Sequence, residues 1–156
     1  MSTFTAMDIA ASALSVQRTR MAIVASNLAN VESTRDPQVA GPYRRRELVV
    51  QATPLADFTQ VLREELGARD DAAEEVEGAL RGVTVSSIEL DPSPPMRVYN
   101  PGHPDADAQG YVAMPNISVM REMADMMAAA RAYEANLATL RTVRDMATSA
   151  LEIGRS

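Results

Sequence analysis

Two stretches of this chain carry apolar residues on a strict three-four spacing, and they lie at its two ends. Over residues 5–31 the stripe reads Met7, Ala10, Leu14, Gln17, Met21, Val24, Leu28, Val31. Over residues 117–152 it reads Val119, Met123, Met126, Ala130, Tyr133, Leu137, Leu140, Arg144, Ala147, Leu151. A repeat of 3.5 residues keeps a narrow seam on one side of a helix, the pattern of helices that wind around one another. A helix over 117–152 spans about 54 Å at ~1.5 Å per residue, well beyond the usual three or four turns. The spacing therefore predicts helix–helix assembly. Gln17 and Arg144 are the one polar break in each seam, and polar seam residues fix register at some loss of stability.

The middle is different. Eight of the nine prolines lie between Pro37 and Pro104, and Pro115 closes the segment. Helix one is expected to start near Thr5, with Asp8 in its first turn. It should run to about Asn30, before the breaker Glu32-Ser33-Thr34-Arg35-Asp36-Pro37. Tyr43 to Thr53, Val83 to Leu90 and Met96 to Tyr99 read as strands, and Tyr111 to Met114 as a partner for one of them. Residues 55–81 are ambiguous, with helical spacing at Leu55, Phe58, Val61, Leu62 and Leu66 but an extended reading open for Phe58–Leu62. Asn100 to Pro104 is a compact turn. Asn116 is placed to cap helix two, and Gly154 to end it.

The expected fold is mainly α with a small β insert. Long N- and C-terminal helices pack as an antiparallel coiled coil, with a β-rich middle domain at the far end. The domain division is 1–35 plus 116–156 for the helices and 36–115 for the middle, with an acidic insertion near 63–82.

Composition narrows the function. The formal net charge is −6, and residues 63–91, with nine carboxylates and three arginines, account for all of it. No basic stripe exists to hold a nucleic-acid backbone, and the cluster Arg44, Arg45, Arg46 reads as strand-edge charge. There is no cysteine, so no disulfide or thiolate site. No run of 18 apolar residues offers a transmembrane helix. The N-terminus lacks a basic region followed by an apolar core, so a cleaved secretory signal is not expected. Helix one is alanine-rich with few basic residues, a poor match to a membrane-surface helix.

Catalytic, cofactor and metal sites are expected to be none. His103, Asp105 and Asp107 form the one metal-like group. It has a single histidine and no fourth ligand, and the plainer reading has both aspartates satisfying backbone amides in a turn. No nucleophile can be paired with that histidine, and no glycine-rich loop precedes a helix. The methionines Met120, Met123, Met126 and Met127 suit either a core or a surface meeting non-identical partners.

Two sets of residues carry a resemblance. One is Ala13 to Met21 followed by Ala25 to Val31, with Ser26-Asn27-Leu28-Ala29-Asn30 at its centre. The other is Val98 to Asp107 (with Pro101, His103, Pro104 and Asp107), then Gly110-Tyr111 to Pro115-Asn116, Glu122-Met123, and Arg131 to Asn136 with Tyr133, Glu134 and Asn136. Gly41-Pro42-Tyr43-Arg44-Arg45 also fits. Together they resemble the axial rod proteins of the bacterial flagellum, the proximal rod members most. The likeness covers 7–50 and 83–154 well and 51–82 poorly.

That resemblance implies a non-catalytic structural subunit of the basal body, required for flagellum assembly and motility. It would stack helically into a hollow rod across the periplasm, transmit torque and line the export channel. It would leave uncleaved through the flagellar type III export apparatus. Implied partners are copies of itself, the other proximal rod proteins and the collar subunit joining rod to export gate, with surrounding rings and peptidoglycan as further candidates. The expected subunit interface is the coiled-coil seam: Met7, Leu14, Met21, Val24 and Leu28 on helix one, and Val119, Met123, Met126, Tyr133, Leu137, Leu140 and Leu151 on helix two. A stand-alone coiled-coil adaptor or scaffold is the alternative, and a hydrolase using His103 a weaker one.

Overall fold

The structure is a computed structural model, and it describes residues 3–37, 41–54 and 81–153. Helix α1 spans Thr3–Ala29. Strand β1 is Arg46–Pro54 and β2 is Arg81–Leu90, and these two pair as a ribbon. Strand β3, Met96–Tyr99, pairs antiparallel with β4, Tyr111–Met114, in the register Met96↔Met114 to Tyr99↔Tyr111. Helix α2 runs Val119–Ile153, 35 residues. The described chain is thus mostly helical, with β structure between two terminal helices.

Most elements fall where the patterning puts them, with shifted ends. Helix α1 begins two residues before Thr5. Strand β1 starts at Arg46, because Tyr43 is committed elsewhere: its N–H donates to Ser33 O at 3.0 Å. Asn116 does not cap α2. The helix starts at Val119 and its first turn closes from Glu122 N–H to Ser118 O, so Ser118 holds the cap position. The ambiguous stretch, most of the acidic insertion and Gly154 lie outside the described residues.

Two compact units divide the contacts, one of Met1–Arg18, Val50–Ser86 and Arg131–Ser156, the other of Thr19–Val49 and Ser87–Ala130. In the first, the ribbon starts against α1. Gly82 is buried, and a Cβ on it would stand 3.2 Å from Ser12 Oγ. That hydroxyl donates to Ile9 O at 2.8 Å and accepts the Val83 N–H at 3.2 Å. The sequence reading set the β segment at the far end of the helices, whereas β2 begins on the first half of α1. Among the described residues of this unit Ala10 and Val16 are the buried apolar side chains, and Gln17 Oε1 is buried with no hydrogen-bond partner among them.

Among the described residues, the second unit holds more of the buried side chains. Ile23, Val24, Tyr43, Val112, Ile117 and Ala129 are enclosed, together with the polar Asn27 and Glu122. Val112 shows why the β3–β4 hairpin folds as it does. Alternation in a strand puts it on the face opposite Tyr111, so Val112 is enclosed while Tyr99, Tyr111 and Arg97 stay outward on the other face and Met96 and Val98 of β3 remain exposed.

Candidate functional site

Asn27 and Glu122 are the two fully enclosed polar side chains among the described residues, at 1% and 0% exposure. Burying a carboxylate costs several kcal/mol unless it is paired and hydrogen-bonded, and here every acceptor is used. Glu122 Oε1 takes the Arg45 Nε–H at 2.6 Å, and Oε2 takes one Asn27 Nδ2–H at 3.0 Å. The other Nδ2–H donates to Arg46 O at 3.0 Å. Asn27 Oδ1 accepts from the Arg46 N–H at 3.0 Å and from the Tyr43 hydroxyl at 3.1 Å. One asparagine near the end of α1 thereby binds the first residue of β1 as a strand neighbour would, and α2 as well.

Arg45 is the cation of this group. Burial works against its charge, but the hydrogen bond and charge of Glu122, aided by Glu47, hold its pKa above the ordinary arginine value. Asp125 lies 3.7 Å away, and Glu47 pairs with it at the exposed side. Arg46 stacks over the Tyr43 ring at 5.4 Å, and Arg44 Nε donates to Asp91 O at 3.2 Å. The arginine triplet is therefore not loose strand-edge charge. An open cleft of about 330 Å³ borders the group, lined by Val24, Asn27, Arg45, Leu48, Glu122 and Ala128 among others.

The other motif residues are spent on shaping loops. Asn30 Nδ2 donates to Ser26 O at 2.8 Å, which caps the end of α1, and Asn30 Oδ1 accepts from Ser33 Oγ at 3.0 Å. Ser26 Oγ shares a hydrogen with the Tyr43 hydroxyl at 3.2 Å. Asp107 Oδ1 accepts the Gln109 and Tyr111 N–H groups, both at 2.9 Å, and Oδ2 takes Arg97 at 2.6 Å. Those amides of Tyr111 and Gln109, with Arg97, hold its carboxyl below the usual range. Asp105 differs from the turn role expected of it. Its carboxylate accepts the Thr34 hydroxyl at 2.8 Å and pairs with Arg35, and both depress its pKa. Gly110 sits at φ +80°, with Tyr99 Cε2 only 2.9 Å from where a Cβ would stand. Tyr99 and Tyr111 meet edge to face at 5.3 Å. Pro115 is buried, while Pro101, Pro104, Asn116 and Glu134 are exposed.

Seam residues are partly enclosed in the single chain. Val24 is buried; Met7, Leu14, Met21, Leu28, Met126, Tyr133, Leu137 and Leu140 are half-buried. Val119, Met123 and Leu151 are exposed, as are Met120 and Met127. The more enclosed line on α2 runs Glu122, Met126, Ala129, Tyr133, Asn136, Leu140, Val143, Ala147. It shares every second position with the apolar stripe and replaces the others by the residue just before.

Residues 7–35 match the family model "Flagella basal body rod protein", and residues 108–153 match "Flagellar basal body rod FlgEFG protein C-terminal". The flagellar basal-body rod protein FlgC of Bacillus subtilis is 39% identical over 158 residues, covering 99% of this chain and all of that one. The chain belongs to the FlgC family. The FlgC of Salmonella typhimurium is 39% identical over 95% of both chains, and that of Borreliella burgdorferi 35% over 98% of both. FlgC proteins are rod proteins of the flagellar basal body, structural and not enzymatic. The FlgC-type segment Ser26 to Asn30 is thus the end of α1 with its polar anchor. Sequence reasoning named Asn27 but missed its partners Glu122 and Tyr43, and Arg45 as the cation on Glu122. Their signal was a carboxylate, Glu122, one turn before Met126 on a line that is apolar apart from it and Asn136.

Proposed function

We propose that this chain is a structural subunit of the proximal rod, stacking helically with copies of itself and with other rod proteins to pass torque and to line the export channel. Full-length membership of the FlgC family carries this reading. The terminal helices, 1–35 and 116–156, form the inner coiled-coil layer, and residues 36–115 stand outside it. Supporting it, Asn27 near the end of α1 meets Glu122 near the start of α2, while Leu14 and Tyr133 line one cavity. That order is the one expected of helices running in opposite senses.

The exposed side chains Val119, Met120, Met123, Met127 and Leu151 are where neighbours gain most. Each apolar side chain covered contributes roughly 25 cal/mol per Å². Contacts in a helical stack are head-to-tail and do not close on themselves. The export apparatus handles the chain in transit, and the collar subunit and other proximal rod proteins are its neighbours in the periplasm.

The chain has no cysteine, so Met123→Cys gives a single reactive thiol. Labelling that thiol with a maleimide–benzophenone and irradiating isolated basal bodies carrying this variant should give covalent products containing an adjacent rod subunit, because the excited ketone inserts into C–H bonds and needs no thiol on the neighbour. Basal bodies complete with rods that yield only unlinked chain would count against the interface.

A further inference from the structure

The chain between β3 and β4 folds through successive turns, with His103 N–H on Asn100 O at 3.2 Å and Ala106 N–H on His103 O at 3.0 Å. Within them the His103 ring does what an asparagine oxygen does in an Asx turn. Its Nδ1 accepts the backbone N–H of Asp105, two residues on, at 3.1 Å. A nitrogen that accepts carries no hydrogen, so the neutral ring holds its hydrogen on Nε2. The one lone pair left to take a proton is the one that holds the Asp105 amide. An imidazolium and this turn bond therefore exclude each other.

A second acceptor stands beside the first. Asp105 Oδ2 lies 4.0 Å from His103 Nδ1. The same oxygen accepts the Thr34 hydroxyl at 2.8 Å, and Oδ1 pairs with Arg35. Thr34 and Arg35 belong to the segment that leaves α1, 70 residues earlier in the chain. His103 is half-buried and within reach of solvent protons.

We propose that His103 is a proton-operated latch on the segment leaving α1. In the neutral state Nδ1 holds the Asp105 amide, and the Asp105 carboxylate is left to Thr34 and Arg35. A proton taken from solvent at Nδ1 turns that atom from acceptor to donor. The Asp105 N–H is released, and the new N–H claims Asp105 Oδ2 in competition with Thr34. Among the described residues the charged group against the ring is Asp105, in its own turn, with Arg35 bound to that carboxylate. Protonation sets a second cation on a carboxylate already held by one. Thr34 and Arg35 keep Asp105 ionised through the interval of about pH 5 to 8 in which histidines change charge. His103 is thus a positioning residue whose charge decides how firmly residues 34–35 are tied down.

His103 is the single histidine of the chain, so its titration can be followed without overlap by NMR of the full chain from about pH 8 to 5. His103→Asn is the control, because its Oδ1 can accept the same amide and does not titrate. In the wild type the amide signals of Asp105, Thr34 and Arg35 should shift with the His103 curve, and the Asp105 amide should lose protection, measured against its intrinsic exchange rate at each pH, as the ring charges. In His103→Asn these signals should stay flat over the same range. Flat Thr34 and Arg35 signals in the wild type while the ring titrates would overturn the proposal. So would equal shifts in His103→Asn, or ¹⁵N shifts placing the neutral ring's hydrogen on Nδ1.

Discussion

Asn27 Nδ2 donates to Glu122 Oε2 at 3.0 Å across 95 residues of chain, with both side chains closed to solvent. A buried amide–carboxylate contact of this kind has little tolerance. Each alternative pairing of the two chain segments would leave a charge, or several polar groups, unpaired in a dry setting. The contact therefore sets which turn of α1 faces which turn of α2, and a subunit that must stack in one register needs that choice made within itself.

Glu122→Ala should cost about 1–3 kcal/mol, since it leaves the buried Asn27 Nδ2–H unpaired and takes from Arg45 its buried carboxylate, with Glu47 and Asp125 still beside the guanidinium. Asn27→Leu removes partners from Arg46 N–H, Tyr43 and Glu122 together, at about 1–3 kcal/mol for each group left unsatisfied. Urea unfolding of the two single variants and the double measures both effects. Because Asn27 and Glu122 share one network, the double variant should be less destabilised than the sum of the singles.

Met123→Asp addresses the other kind of residue, the exposed seam position. Met123 is 51% exposed in the single chain, so the change should leave monomer stability within about 0.5 kcal/mol. Rod assembly should fail all the same, because the charge enters the contact proposed between subunits. Leu28 and Leu137 are half-buried, and their aspartate variants should lose both stability and assembly. Thermal unfolding of the monomer beside swarming assays separates the two classes.

Much of the architecture is legible in the sequence because it rests on short-range rules. The three-four spacing marks both helices, and Pro37 with its neighbours marks the break after α1. The β-branched run from Val83 marks β2. The face of α2 is not legible. Alanines such as Ala124, Ala128, Ala135 and Ala138 lie around the helix, so apolarity alone cannot separate the line through Met123 from the line through Glu122 and Ala129. The Glu122 pairing makes that choice, and its partners Arg45 and Asn27 lie 77 and 95 residues away. No local pattern contains them. Asp105 was misread for the same reason: its carboxylate answers to Thr34 and Arg35 and not to its own turn.

Gly110→Ala should loosen the β3–β4 hairpin. The backbone there is left-handed at φ +80°, and the new methyl group would meet Tyr99 Cε2 at 2.9 Å. A cost of about 1–3 kcal/mol is expected for strain at such a position. Loss of the Tyr99–Tyr111 ring contact in aromatic NMR spectra, with the Asn27 and Glu122 surroundings unchanged, is the expected signature.

Acid should weaken the loops before the helices. Ser93 depresses the Asp91 carboxyl, as Thr34 and Arg35 do for Asp105 and the Tyr111 amide for Asp107. Folded values below the unfolded ones mean stability that is present above about pH 4 and lost as the pH falls through the folded values. Asp107→Asn should flatten that part of the stability–pH curve while leaving the neutral-pH α-helical signal unchanged.

The central claim, a structural subunit of the rod, is tested most directly by removing the chain and looking. Electron cryotomography of basal bodies from an in-frame deletion strain should show the inner ring and export gate with no rod, and a wild-type copy should restore rod and motility. Intact rods and normal swimming in the deletion strain would contradict the account.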